Sequence, residues 1–435
     1  MARLREGLLG SGDINRVTAK ASYICRPLGP LEHLFWWRSV HFAVTAQIAG
    51  TASPGDWRDA LDRVQARHPI LSVRIEGSPA SVPRFRREDA APIPLRIVEG
   101  DPKTRWESEV GEELATPFDP SRAPLIRAVL IDDGRDTGFI LAAHHSVADG
   151  LSLSYAIRDT LAALSGEALE PLPLLPAQEE MLGAGPGPAA LADARERPDG
   201  SSDGGSSTDR RPDGAPPSVK SLRLTSDLTT SLKDCARQEG TTVHGALSAA
   251  VAIAGRLVSA NWRHGAVRIM SAINTRPFLE VGESFGLFAS WTTRALDVRP
   301  TGFWELARHA KAATAIGQTR ESVAALHSRA GEALGQGAES AALAEFAAEA
   351  FGHEAMVSNL GVLNLGRRFG ALTLESVWGP AIFAGMPGAQ TIGVATFDGS
   401  ICLTHTSSAP AEGLLEAMRR ILADACVEHR HTSLI

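Results

Sequence analysis

Two periods of apolar residues run through the chain, and together they predict a mixture of strands and helices. Val40, Phe42 and Val44 alternate along a strand placed at Val40 to Ile48. Ser53-Pro54 then opens a helix, because Ser can cap and Pro suits a first helical turn. Trp57, Leu61 and Val64 recur along it at i, i+4 and i+7. Pro69 ends that helix, and Leu71, Val73 and Ile75 predict another strand. Leu125 to Leu130 and Phe139 to Ala143 read as two more, turned by Asp132-Asp133-Gly134. Further along, Thr241-Thr242 caps an Ala-rich helix from Val243, and helices are predicted at Phe303 to Ile316 and from about Ala338 to Phe351. Strands are predicted at Val267 to Ile273, Ala371 to Val377, Thr391 to Phe397 and Ser400 to His405. The order of elements lacks the even βαβ rhythm of a Rossmann or barrel fold, so the fold class is a mixed α/β.

One stretch breaks both periods. Gly183 to Ser218 holds almost no large apolar side chain and is rich in Gly, Pro, Ser and Asp. Such a segment cannot bury enough surface to offset its ordering entropy, and it reads as a disordered linker or long crossover. It divides the 435 residues into an N-terminal part, 1–182, and a C-terminal part, 219–435, both of domain size.

Composition narrows the class of function. Lys+Arg 43 against Asp+Glu 50 leaves a net charge of -7, which speaks against a nucleic-acid binder or a polybasic membrane-surface protein. The four cysteines, Cys25, Cys235, Cys402 and Cys426, form no C-x-x-C pair, so neither a disulfide framework nor a zinc site is expected. Met1 to Lys20 is polar and lacks the apolar core of a signal peptide. The most apolar stretch, Val243 to Ala260, is interrupted by His244 and Arg256 and falls short of a membrane span. A cytoplasmic location follows. Lysine appears only at five positions while Ala and Gly abound, a composition that suggests a GC-rich bacterial gene.

Most enzyme signatures are missing. There is no Walker A loop and no G-x-S-x-G elbow. His353-Glu354 starts like a zinc H-E-x-x-H, but Val357 stands where the second His is needed, and Glu428-His429-Arg430-His431 reads as a solvated tail. No metal is expected. One cluster stands apart: His144-His145-Ser146-Val147-Ala148-Asp149-Gly150, directly after the apolar strand ending at Ala143. Asp149 is well placed to cap the helix whose apolar face is Ile157, Leu161 and Leu164, but capping does not require two adjacent histidines. Neutral imidazole is the side chain best suited to take a proton from a hydroxyl or amine near neutral pH. No serine or cysteine nucleophile is signalled nearby, which favours direct attack by a bound acceptor over a covalent intermediate.

This H-H-x-x-x-D-G cluster resembles the motif of the chloramphenicol acetyltransferase-like superfamily, which includes condensation domains, polyketide-associated acyltransferases and alcohol acetyltransferases. Arg26-Pro27-Leu28-Gly29-Pro30-Leu31-Glu32-His33, Ala66-Arg67-His68-Pro69-Ile70-Leu71, Thr242 to Leu247 and Val357-Ser358-Asn359-Leu360-Gly361 look like further landmarks of the polyketide-associated branch, in order. The D-F-G-W-G signature of the plant-type branch has no counterpart. The resemblance implies two similar α/β halves in a V around a central tunnel open at both faces. It implies His145 as catalytic base and His144 as mainly structural. It pairs Asp149 with Arg276 and gives Gly150 the task of leaving room for a thioester. Ser358 and Asn359 become candidates for oxyanion or acceptor contacts. His244 reads as a core histidine, Trp36 and Trp37 as core aromatics, and Arg84, Arg86 and Arg87 as a solvated loop.

The expected activity is that of a free-standing acyltransferase, moving an acyl group from a thioester to the hydroxyl or amine of a secondary metabolite or lipid. The donor would be acyl-CoA or an acyl carrier protein, with no bound cofactor, no nucleic acid, and a monomeric chain. Two alternatives stand beside it: a stand-alone condensation enzyme joining carrier-bound intermediates, and a non-catalytic recruitment module of the same fold.

Overall fold

The computed structural model describes residues 25–77, 82–87, 90–183, 215–298, 302–337, 340–383 and 388–432. Most of the low-complexity stretch therefore lies outside the described residues, though Ser218 already opens a strand. In chain order the strands are β1 (Cys25–Pro27), β2 (His41–Ala49), β3 (Val73–Glu76), β4 (Arg84–Arg87), β5 (Leu95–Glu99), β6 (Ile126–Asp132), β7 (Asp136–His144) and β8 (Ser218–Arg223). They continue as β9 (Val267–Asn274), β10 (Ala289–Leu296), β11 (Ala355–Val362), β12 (Arg368–Phe369), β13 (Leu372–Phe383), β14 (Gln390–Phe397) and β15 (Ser400–Ser407). The main helices are α1 (Pro30–Trp37), α2 (Pro54–Arg67), α3 (Pro102–Ala115), α4 (Gly150–Leu164), α5 (Gln178–Leu182), α6 (Ser226–Gln238), α7 (Val243–Val258), α8 (Phe303–Gly317), α9 (Arg320–Gly335), α10 (Ala341–Phe351) and α11 (Leu414–Thr432).

Local signals explain many of these bounds. Ser53 caps α2 by accepting from the Asp56 N–H, and Pro54 fills the first turn. Thr242 caps α7 through the Gly245 N–H at 3.0 Å. The run Leu71–Ile75 divides: Pro69–Ser72 winds into a 3₁₀ turn, leaving only Val73–Glu76 as strand. A proline cannot donate to a ladder, and its fixed φ suits the start of such a turn.

Two six-stranded sheets organise the chain, in the orders β12-β13-β2-β7-β6-β5 and β10-β9-β11-β14-β15-β8. Along β2, Phe42, Val44, Ala46 and Ile48 face the core shared with Trp57 and Leu61 of α2 and Leu153, Ile157 and Leu161 of α4. The opposite face is also covered: Ala43 packs with Trp106, Val110 and Leu114 of α3. Gln47, on that covered face, donates to the Pro102 carbonyl at 3.0 Å. A strand buried on both sides thus reads as almost continuously apolar.

The halves are not separable strand by strand. Strand β13 belongs to the second half in sequence but pairs antiparallel with β2, from Thr373↔Ala49 to Phe383↔His41. The chain then returns to its own sheet as β14. The largest core follows the same plan. It joins Phe35, Phe42 and Leu153 to Met270, Trp291 and Met356 across the space between the sheets. No single helix among the described residues is long and apolar enough to cross a membrane.

Candidate active site

Strand β7 delivers the two histidines at its end. The His144 N–H donates to the Leu125 carbonyl and that of His145 to the Val40 carbonyl, at 3.0 and 2.8 Å. His144 is wholly buried, its Nδ1 accepting from the Ser146 N–H at 3.2 Å. Burial, with His41 and His145 nearby, pushes its pKa down to about 3, so it stays a neutral packing group. Its ring lies edge-on to Phe118.

His145 is held differently. Its Nδ1 lies 2.8 Å from the Ala148 carbonyl oxygen. A carbonyl can only accept, so Nδ1 carries the proton and Nε2 is left with its lone pair. Nε2 has no partner among the described residues and is not sealed off, since the ring borders the cavity between the sheets. Phe35 stacks on the imidazole at 4.2 Å and Phe42 lies tilted at 4.7 Å, which fixes the ring plane. Burial lowers the His145 pKa, opposed by the Ala148 bond and by Asp149.

Asp149 caps α4, with Oδ1 accepting from the Ser152 N–H at 2.8 Å. Its Oδ2 accepts from Arg276 Nη1 at 2.6 Å and from the Phe288 N–H at 2.9 Å. Burial alone would raise the Asp149 pKa, but the guanidinium and the two backbone donors outweigh it and hold the carboxyl below its usual range. Arg276 also reaches the Ser152 hydroxyl at 2.9 Å and the Ser284 carbonyl at 3.2 Å. The Ser152 hydroxyl exchanges further bonds with the backbone of Gly286, at 2.8 and 3.1 Å. This knot ties the first turn of α4 to the loop entering β10. It leaves neither charge free.

Gly150 is closely approached by its neighbours. A Cβ there would stand 2.6 Å from Leu360 Cδ2 and 3.4 Å from Pro380 Cγ. Its smallness admits Leu360, brought over by the end of β11.

Around these groups lies a cavity of about 130 Å³. Its floor is the inner face of β9, β10 and β11, with Met270, Ala272, Asn274, Trp291, Met356 and Ser358; its roof includes Phe35, Val40, Leu151 and Ile382. Ser358 and Asn359 stand together at its rim on β11. The Asn359 Oδ1 accepts from the Gly361 N–H at 2.8 Å, so its amide NH2 remains a donor without a partner among the described residues. The structure thus brings His145, Asp149, Gly150, Arg276, Ser358 and Asn359 around one cavity, with His144 directly behind.

Other residues lie elsewhere. His244 bonds the Ser271 hydroxyl at 2.8 Å, Trp36 and Trp37 pack against the core, and Arg86 pairs with Glu76 across β3 and β4. Phe35 and Ser152 belong to the site or its support without having been singled out, and His353, weighed in the sequence only as the start of an incomplete zinc motif, borders the same cavity. Ser152 had one local signal, its place three residues after a helix-capping Asp. Phe35 and His353 come from segments remote in sequence and carry none.

Residues 213–399 match the family described as phthiocerol/phthiodiolone dimycocerosyl transferase C-terminus. Among curated proteins, tyrocidine synthase 3 of Brevibacillus parabrevis is 29% identical over 131 residues, and malpibaldin synthetase of Mortierella alpina is 31% identical over 126. These stretches are 29% and 27% of this chain but only 2% of each of those much longer proteins. Among solved structures, the first condensation domain of the CDA synthetase superposes with a TM-score of 0.67 at 16% identity, covering 93% of this chain and 97% of that one. Polyketide synthase associated protein 5 from Mycobacterium tuberculosis gives 0.64 at 16% identity, covering 93% and 98%. The C-terminal part is thus similar to that acyltransferase family, and the chain as a whole has the fold of condensation domains and of polyketide synthase associated protein 5.

Proposed function

We propose that the protein is an acyltransferase of secondary metabolism, moving an acyl group from a thioester to a hydroxyl or amine with His145 as general base. The observation that carries this reading is the His145 tautomer. Ala148 holds the proton on Nδ1, and Nε2 faces an apolar cavity with its lone pair free. The acceptor oxygen or nitrogen attacks the thioester carbonyl carbon, and its proton passes to Nε2 as the new bond forms. The tetrahedral oxyanion is met by the Asn359 amide or the Ser358 hydroxyl. It collapses with loss of the C–S bond, and the imidazolium returns its proton to the departing thiolate. Asp149 and Arg276 take no proton; they fix the loop that carries His145.

The donor, coenzyme A or a carrier-bound pantetheine, presents the same arm and thioester. The likeness to condensation domains favours a second version of the same chemistry, in which both partners are carrier-bound and an amide or ester is formed.

Incubating the purified protein with acyl thioesters and a panel of alcohols and amines tests the reading. His145→Ala should slow transfer to alcohols by about 10²–10⁴-fold, the usual worth of a positioned base. The defect should be smaller for amines already deprotonated. Because burial lowers the His145 pKa, the wild-type rate should hold as pH falls to the ordinary imidazole value of 6.5 and decline only below it, as Nε2 becomes protonated. Alcohol acylation by His145→Ala at near wild-type rate removes His145 from the chemistry. No transfer with any thioester favours a non-catalytic module.

A further inference from the structure

A second histidine borders the same cavity. His353 sits just before β11, is 8% exposed, and belongs to neither the Asp149–Arg276 knot nor the His145 loop. Its Nδ1 is buried without a well-formed hydrogen bond, the Phe351 backbone acting on the ring only as a weak acceptor, and no side chain among the described residues bonds the imidazole. Glu354, next in the chain, is already bound to Arg268 at 2.8 Å and does not serve the imidazole.

The sheet register fixes where His353 stands. Strands β9 and β11 run parallel, with Met356 beside Met270, and both point toward the His145 end, where Asn274, Ser358 and Asn359 lie. His353 precedes Ser358 by five residues of mostly extended chain. At about 3.3 Å per residue that separation is roughly 15 Å. Its neighbours on the cavity wall are apolar: Phe351, Met356, Met270 and Trp291, with Trp291 stacked on Phe351 at 5.4 Å. An apolar lane thus runs from the reacting centre to one polar group at its far end.

Resting on the acyl-transfer reading of the cavity, we propose that His353 is a specificity residue. It binds an uncharged hydrogen-bonding group, such as a hydroxyl or amide, at the end of the substrate remote from the reacting carbonyl. Charge is excluded by the lining. The Asp149 carboxylate and the Arg276 guanidinium, the only ionised side chains bordering the cavity among the described residues, are spent on each other. Burial holds the His353 pKa down at about 4, so the ring is neutral near pH 7 and offers no cation to a carboxylate or phosphate. A plain alkyl end would leave the imidazole Nε2 unmatched, and unmet polar groups in a closed site are what reject the wrong substrate.

The test reads binding, not turnover. The full chain is titrated with a linear alkanol long enough to span the cavity and with the α,ω-diol of equal length, followed by tryptophan emission or calorimetry. The wild type should favour the diol by roughly 10-fold or more, the worth of one satisfied buried hydrogen bond. His353→Gln, which keeps a donor and an acceptor, should retain the preference, whereas His353→Leu should lose it and bind the alkanol at least as well. Equal diol-to-alkanol ratios in wild type and His353→Leu overturn the assignment, as does the absence of saturable binding by either alcohol. A His353-dependent diol preference in a protein that transfers no acyl group would instead sink the catalytic reading and leave the subsite standing.

Discussion

Glu179 offers the sharpest measurement of what this architecture costs. It lies on α5 and is 2% exposed. Its Oε1 accepts from the Leu31 N–H of α1 at 3.0 Å, while Oε2 is buried without a partner. The nearest imidazole, His327 at 3.4 Å, is itself held neutral by burial, with a pKa near 3. Arg26 is committed to Glu32, which it grips with two bonds of 2.7 Å. Burial first, and the neighbouring Glu32 second, push the Glu179 pKa up to about 7 from an ordinary 4.5. The folded protein therefore keeps a proton that the unfolded chain gives up. Stability should fall as pH climbs from about 4.5 to about 7 and then level off. The gap of some 2.5 units corresponds to about 3 kcal/mol at most, at 1.36 kcal/mol per unit.

Replacing Glu179 with Gln removes this dependence without removing the shape. The amide oxygen still accepts from Leu31, and the NH2 group occupies the place of the orphan oxygen, beside Glu32. Glu179→Gln should match the wild type near pH 4.5 and exceed it by up to about 3 kcal/mol at pH 8. Denaturation midpoints of the two proteins across that range supply the comparison, since every other titration cancels in the difference. Parallel midpoint curves would refute the buried-proton account. A variant less stable at pH 8 would show that the carboxylate is ionised and paired after all. The helix that Glu179 steadies also carries Phe35, so the same latch backs the ring stacked on His145.

Two further outcomes follow from contacts around the motif. Gly150→Ala should cost about 1–3 kcal/mol and reduce transfer, because its Cβ would meet Leu360; adding Leu360→Ala should restore the fold, as read by thermal unfolding. Asp149→Asn and Arg276→Ala should each destabilise by roughly 3–5 kcal/mol, as breaking a buried pair does. The double mutant should fall well short of their sum, and simple additivity in a double-mutant cycle would deny the pairing.

Much of this was legible in the sequence because it is local. The cap at Ser53, the alternation along β2 and the Asp149 cap before Ile157 each declare themselves within a few residues. The pairing of Asp149 with Arg276 came from resemblance, since no spacing rule links positions so far apart. Strand β13 was visible as a strand, yet nothing in its alternation says that its partner is β2 of the other half. Any apolar strand edge satisfies the same pattern, and the choice is made by the whole sheet. Glu179 and His353 were harder still. A lone carboxylate or imidazole acquires meaning only from what surrounds it, and their surroundings come from distant segments. Ser152 lies between these cases. Its backbone N–H answers the Asp149 cap, which local sequence predicts, while its hydroxyl joins Arg276 to the Gly286 backbone, which local sequence does not. One residue thus spends its main chain on the helix and its side chain on the joint between the halves. That division lets a local helix start double as the anchor for a candidate site assembled over long range.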